Sequence, residues 1–385
     1  MRAYIFGAGA SVSAGYPLAS QLLHGLSAWL DRCDTSVHWV PWARNRIVQV
    51  RETFGSLDDF EGILGKLEEF GQRRVSPPGP TTYRQDLKDI LHDYTEGLRG
   101  VGDADTGGFY PQYLRSDLIL ALREFFYQTE QLRTEPNAYE SFAVRKACPH
   151  SSVITFNYDI ALERALAKAG KWDIGDGYGF QFLPDRLPSG VTVYKLHGSV
   201  NWFKEPINNT PPPVIFTRDL ELLGYKDLVD RKVGGDGMGV EESGTLILPD
   251  PRKRFYWAPF WEPLWNGAAE RLRAANEVLI HGYSMPTTDI RARQLLFENI
   301  PKSAAISIHC RSASERIVAE FRSRGFEDLR PFQSVDFEAW AVSDPSWRIT
   351  SRHLTQRWER PPVKISDGDY ASEWLAGAAE FAPVG

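Results

Sequence analysis

The sequence predicts an α/β fold, a doubly wound parallel sheet carrying a large helical insertion and a smaller inserted lobe. Three observations predict it. Apolar or β-branched runs of strand length alternate with helical stretches through the second half of the chain. The first run, Ala3 to Phe6, meets Gly7-Ala8-Gly9 at once, as a strand entering a tight turn does. Between these two regions, from about Pro17 to Pro149, apolar residues recur at spacings of three and four, which predicts helices instead.

After the opening strand and turn, the small residues Ser11 to Gly15 lead into a helix expected over Leu18 to Leu30. Helical periodicity returns through Leu57 to Phe70 and Leu118 to Leu132, with the prolines of Val75 to Tyr83 marking a loop between them. Beyond Cys148 the strand runs are Ser152 to Phe156, Val191 to Leu196, Val278 to Ser284 and Ala305 to His309. Helices are expected between or after them at Ile160 to Ala169, Asp289 to Asn299 and Ser314 to Ser323, and this alternation implies parallel pairing. Residues 204–244, with Pro211 to Pro213 and the Gly-rich stretch Gly234 to Gly239, break the rhythm and are read as the inserted lobe. The expected organisation is a core of residues 1–16 and 150–330, a helical insertion over 17–149, and a C-terminal appendage over 331–385 that holds Trp340, Trp347, Trp358 and Trp374.

Composition narrows the function classes. A chain of 385 residues with 42% hydrophobic content, 12 Trp and 21 Phe is built to fold rather than to stay disordered. A net charge of -6 argues against a nucleic-acid backbone as the main partner. Three scattered cysteines, Cys33, Cys148 and Cys310, support neither a disulfide framework nor a four-thiolate zinc site and fit a reducing cytoplasm. The apolar start is too short for a signal segment and no run approaches membrane-spanning length, so a cytoplasmic protein is expected.

In a doubly wound sheet ligands bind beyond the carboxyl ends of the strands. Gly7, Ala8, Gly9 and Ser11 form a turn that lets backbone approach a pyrophosphate, although Val12 stands where a third glycine is usual; the competing reading is a glycine turn needed only for packing. Asn157 and Asp159 follow the second strand, where Asn157 is suited to orient a hydroxyl or a water, while Asp159 is also placed to cap the next helix. His197 follows the third strand and is a candidate general base or a structural imidazole. The remaining histidines show no metal-ligand spacing, and no metal site is expected. The aromatic stretch Phe255 to Trp265, like Trp202, is read as packing.

Taken in order, Gly-Ala-Gly-Ala-Ser at 7–11, Asn-x-Asp at 157–159, Leu-His-Gly-Ser at 196–199 and Gly-Tyr-Ser at 282–284 resemble the sirtuin family over roughly residues 1–16 and 150–325. The resemblance implies a Rossmann-like core with NAD held between it and a smaller domain. It implies that Gly7, Ala8, Gly9 and Ser11 hold the phosphates, that Asn157 and Asp159 face the nicotinamide ribose and carboxamide, and that His197 is the base. Gly198 and Ser199 belong to the same cofactor-binding strand end, Gly282 and Ser284 reach the adenosine, and His309 with Arg311 lies where the family contacts the adenine ribose. Two departures stand out: no Cys-x-x-Cys pairs follow the Leu-His-Gly-Ser strand, and Tyr16-Pro17-Leu18-Ala19 replaces the deacylases' Pro-Asp-Phe-Arg segment.

These departures turn the resemblance toward the sirtuin-like NADases of prokaryotic antiphage defence, as in Thoeris, short Argonaute and HerA-associated systems; helices like that beginning at Leu57-Asp58-Asp59-Phe60 occur in that branch. The implied activity is NAD glycohydrolysis, with NAD as substrate and no zinc. Implied too are a homo-oligomer, a protein activator such as a HerA-type ATPase or an Argonaute-like partner, and no direct contact with nucleic acid or membrane. A sensor that binds NAD or ADP-ribose without turnover, and a zinc-free deacylase, are the alternatives.

Overall fold

The structure, a computed structural model, describes residues 1–33, 39–58, 60, 62–63, 111–133, 136–173, 178–179, 190–204, 214–216, 261–310, 313–331 and 337–343. The expected loop Val75 to Tyr83, the helical stretch after Ile63, most of the lobe at 204–244, the side chain of Trp202, Arg311, and Trp347, Trp358 and Trp374 lie outside the described residues.

One sheet contains β1 (Arg2–Phe6), β2 (Ser152–Thr155), β3 (Thr192–Lys195), β6 (Glu277–His281), β7 (Ala305–His309) and β8 (Leu329–Pro331). Their order is β3-β2-β1-β6-β7-β8, and every neighbouring pair is parallel. This is the Rossmann-like, doubly wound arrangement, in which the strand order reverses at β1. The central strands are apolar runs rather than alternating ones because both their faces are covered: Ala3 to Phe6, Ser152 to Thr155 and Val278 to His281 are all buried. A separate antiparallel pair, β4 (Trp202–Lys204) with β5 (Val214–Phe216), lies at the entrance to the expected lobe.

Between β1 and β2 the chain runs through α1 (Ala8–Ser11), α2 (Leu22–Arg32), α3 (Trp39–Phe54), α4 (Pro111–Leu132) and α5 (Ala138–Arg145). Helices α2, α3 and α4 pack on one another, α2 burying Leu22, Leu23, Leu26 and Leu30 along one stripe. The last of the five, α5, returns to the sheet, where Tyr139 and Phe142 pack on Phe6 and Tyr4. The later crossovers use α6 (Ala161–Lys168), α7 (Trp261–Arg273), α8 (Ile290–Asn299) and α9 (Ser314–Ser323). Helix α7 buries Trp265, while Phe255 to Phe260 of that aromatic stretch lie outside the described residues.

A final helix, α10 (Phe337–Val342), falls in the region expected as an appendage. It packs against α5 and the sheet: Phe337 touches Phe6, Tyr139 and His281, and Trp340 touches Tyr4, Phe142 and His309. Its described part is thus seated on the core.

Candidate active site

A cavity of about 640 Å³ opens at the carboxyl ends of β1, β2, β6 and β7, where the strand order reverses. Its lining includes Gly7, Ala8, Gly9, Ser11, Asn157, Asp159, His197, Gly282, Ser284 and His309. Gly198 and Ser199 are not on its wall. Other lining residues come from the insertion, among them Leu22, Asp58, Phe60 and Phe126, and from α10, namely Phe337 and Glu338.

Two glycine turns meet at the floor. A Cβ on Gly9 would lie 2.8 Å from Gly282 Cα, one on Gly7 would lie 2.6 Å from Tyr283 Cα, and one on Gly282 would lie 2.3 Å from the Ala10 nitrogen. Gly282 also holds φ at 63°, a left-handed conformation that glycine adopts at little cost. The amides of Gly7, Gly9 and Ala10 donate to the carbonyls of His281, Gly282 and Gly7. Close packing of turn on turn therefore explains these glycines directly. A side chain at Gly9 would strike the Gly282 backbone, so Gly9 is needed where the two turns pack.

Along one wall runs a closed polar network. The Asn157 side-chain nitrogen donates to Gly7 O at 2.9 Å, Ser11 Oγ at 2.8 Å and Tyr139 Oη at 3.2 Å. Ser11 Oγ in turn donates to Asp159 Oδ2 at 2.7 Å, while Asp159 Oδ1 accepts the Ala161 amide at 3.1 Å. Asp159 thus makes the helix-capping bond that its position allowed, and Ser11 is bonded inward rather than offered to a ligand. Beneath them Lys195 Nζ pairs with Glu163 Oε1 at 2.8 Å and donates to the Asp159 carbonyl, both side chains being fully buried. Burial pushes the Asp159 and Glu163 carboxyls above their usual range, and Lys195 opposes the shift.

The facing wall is built on a different pairing. His197 Nε2 lies 3.2 Å from Asp289 Oδ2, and the same oxygen accepts the Tyr283 hydroxyl at 2.9 Å. Phe156 stacks on Tyr283 with centroids 4.2 Å apart and also touches the His197 ring at 4.9 Å. Asp289 is 1% exposed and occupies the N-cap position of α8, yet its side chain makes no capping bond there. In the sequence its position signals only the start of a helix. Its part in the cavity comes from the fold, which brings the β6–α8 turn beside the end of β3.

His281 and His309 sit at the ends of adjacent strands, with His281 Nδ1 2.8 Å from the His309 carbonyl oxygen. Burial, together with His281, pushes the His309 imidazole down to about 3, so it is neutral across the physiological range. The following turn is fixed by Arg293 and Arg316, which both donate to the Met285 carbonyl. Although they line the cavity, Asn157 and His197 are only 8% and 3% exposed.

Among the described residues no group of three or more His, Cys, Asp or Glu side chains is arranged to hold a metal ion, and no helix is long and apolar enough to cross a membrane. Residues 151–307 match the protein family described as a SIR2-like domain. That span contains Asn157, Asp159, His197, Gly282 and Asp289; the Gly7 to Ser11 turn and His309 fall outside it. No curated protein matches the chain significantly. Similar solved structures include a Sir2 complex with a p53 peptide and NAD+ (TM-score 0.33, 12% identity, 89% of this chain and 90% of that one) and Sir2Tm bound to a propionylated peptide (TM-score 0.34, 12% identity, the same shares). The matched span includes β2, β3 and β6 of the Rossmann-like sheet.

Proposed function

We propose that this protein is an NAD glycohydrolase, cleaving NAD to nicotinamide and ADP-ribose. The observation that carries the reading is the convergence of Asn157 and the His197–Asp289 pair on one cavity at the switch point of the sheet. The SIR2-like match spans both groups and supports NAD as the substrate. Nicotinamide leaves as a neutral molecule, so its departure needs no general acid; the enzyme must stabilise a ribosyl oxocarbenium and deliver water. With both hydrogens of the Asn157 nitrogen shared among Gly7 O, Ser11 Oγ and Tyr139 Oη, its Oδ1 is the atom suited to accept a bond from a ribose hydroxyl or the attacking water. His197 takes the proton as water bonds to the sugar.

Free NAD hydrolysis would poison a host, so the activity is regulated, and the reading extends to a toxic effector of antiphage defence. A homo-oligomer and a protein activator, of the HerA-type ATPase or Argonaute-like kind, fit this role. The protein works in the cytoplasm and takes no zinc; stoichiometric zinc in a metal analysis would overturn that part. The deciding assay incubates the protein with NAD, with and without candidate activators, and follows free nicotinamide, ADP-ribose and O-acyl-ADP-ribose. Appearance of the acylated product in place of ADP-ribose would favour a deacylase, and NAD bound without turnover under every condition would favour a sensor.

A further inference from the structure

Asp289 is 92 residues from His197 in sequence, is almost wholly buried, and directs its Oδ2 at both His197 Nε2 and the Tyr283 hydroxyl. A carboxylate at a helix N-cap ordinarily satisfies an amide of the first turn. This one does not, and instead faces the imidazole. We propose that Asp289 is the positioning residue of the site: it holds His197 in the tautomer that carries its proton on Nε2, with Tyr283 fixing the carboxylate, so that Nδ1 is the nitrogen that accepts a proton. The proposal deepens the glycohydrolase reading and rests on it for the reaction, though not for the tautomer.

The chemistry follows from the pairing. A neutral imidazole has one protonated and one basic nitrogen, and the bond made by the first selects the second. A carboxylate is acceptor-only, so at 3.2 Å from Nε2 it favours a proton there. As the water oxygen bonds to C1′ of the ribose, the bond from C1′ to the nicotinamide nitrogen breaks and its electron pair leaves on that nitrogen. The water's proton passes to Nδ1. His197 then carries positive charge 3.2 Å from Asp289, which is charge created only as the reaction proceeds. Phe156, stacked on Tyr283 and touching the His197 ring, limits rotation of both partners.

The test reads the ring directly. Nitrogen-15 spectra of the histidine-labelled full chain, with the His197 signals identified by their loss in His197→Ala, report which nitrogen bears the proton. The expected result is an Nε2–H tautomer in the unmodified protein and a mixture of tautomers in Asp289→Asn. A predominant Nδ1–H tautomer in the unmodified protein overturns the proposal, and this readout needs no turnover. For NAD cleavage, Asp289→Asn should lower kcat by about ten- to a thousandfold, short of removing the base itself, with KM changed less than about threefold; Asp289→Glu should recover part of the loss. An unchanged kcat in a folded Asp289→Asn protein also overturns it. Should the unmodified protein show the Nε2–H tautomer but release no nicotinamide under any activating condition, the glycohydrolase reading fails while the pairing stands.

Discussion

The two facing walls of the cavity use similar residue types to different ends. On the β1–β2 side, Ser11, Asn157, Asp159 and Tyr139 bond to one another, and a Lys195–Glu163 pair closes the layer below. On the β3–β6 side, a histidine faces a single carboxylate that a tyrosine steadies. The first wall is a brace whose polar atoms tie the β1 turn to the end of β2 and to α5; the second sets an imidazole beside a buried carboxylate, which we propose as proton acceptor and counter-charge. The same strand-end position can thus carry architecture or chemistry, and the partners of the side chain decide which.

Substitutions separate the walls. The largest effect is expected at the joint beneath both: Gly282→Ala places a methyl group against Ala10 and Gly9 backbone at positive φ, costing on the order of 2–5 kcal/mol. Chemical denaturation should show the loss, and native stability in that variant would mean that the two turns do not meet as described. On the reactive wall, His197→Ala should lower nicotinamide release by about a hundredfold to ten-thousandfold. Full turnover by the folded variant would remove His197 from the mechanism.

The brace should respond differently. Asn157→Ala leaves Ser11, Tyr139 and the Gly7 carbonyl without their buried donor, at a cost of about 1–3 kcal/mol in stability, in addition to lost activity. A fall in activity at unchanged stability would show that the network is not a brace. A further effect is one of pH. His309 is held neutral down to about pH 3, whereas in the unfolded chain it protonates near 6.5. Its contribution is therefore fully present above about 6.5 and is lost as pH falls toward 3, since the unfolded state takes up a proton that the folded state refuses. Thermal melts of His309→Gln across that window should fall less steeply than those of the unmodified protein; parallel curves would contradict the assignment.

The strand ends were legible because buried parallel strands leave continuous apolar runs, as at Val278 to Ile280, that stop on polar residues. Boundaries shifted where a run outlasted its pairing: Phe156 and Leu196 continue the apolar pattern but lie past β2 and β3, packed around the site and in the core. Strand β8 was hidden because Leu-Arg-Pro has neither β-branching nor alternation, and a proline is tolerated there only because the strand is an edge. Helix α7 was masked by Pro263, which its first turn accommodates. The motif residues could be found from their strand ends, but Asp289 could not, since an Asp before a helix carries the same signal whether it caps the helix or reaches across the cavity. Only the fold supplies its partner.

One measurement bears most directly on the chemistry of this cavity: the products formed from NAD by the unmodified protein and by His197→Ala under the same activating conditions. Equal amounts of nicotinamide and ADP-ribose from the first, falling at least a hundredfold in the second while its folded structure persists, are the result expected. Nicotinamide release that is indifferent to His197, or none from the unmodified protein with any activator, would contradict the claim that this cavity hydrolyses NAD.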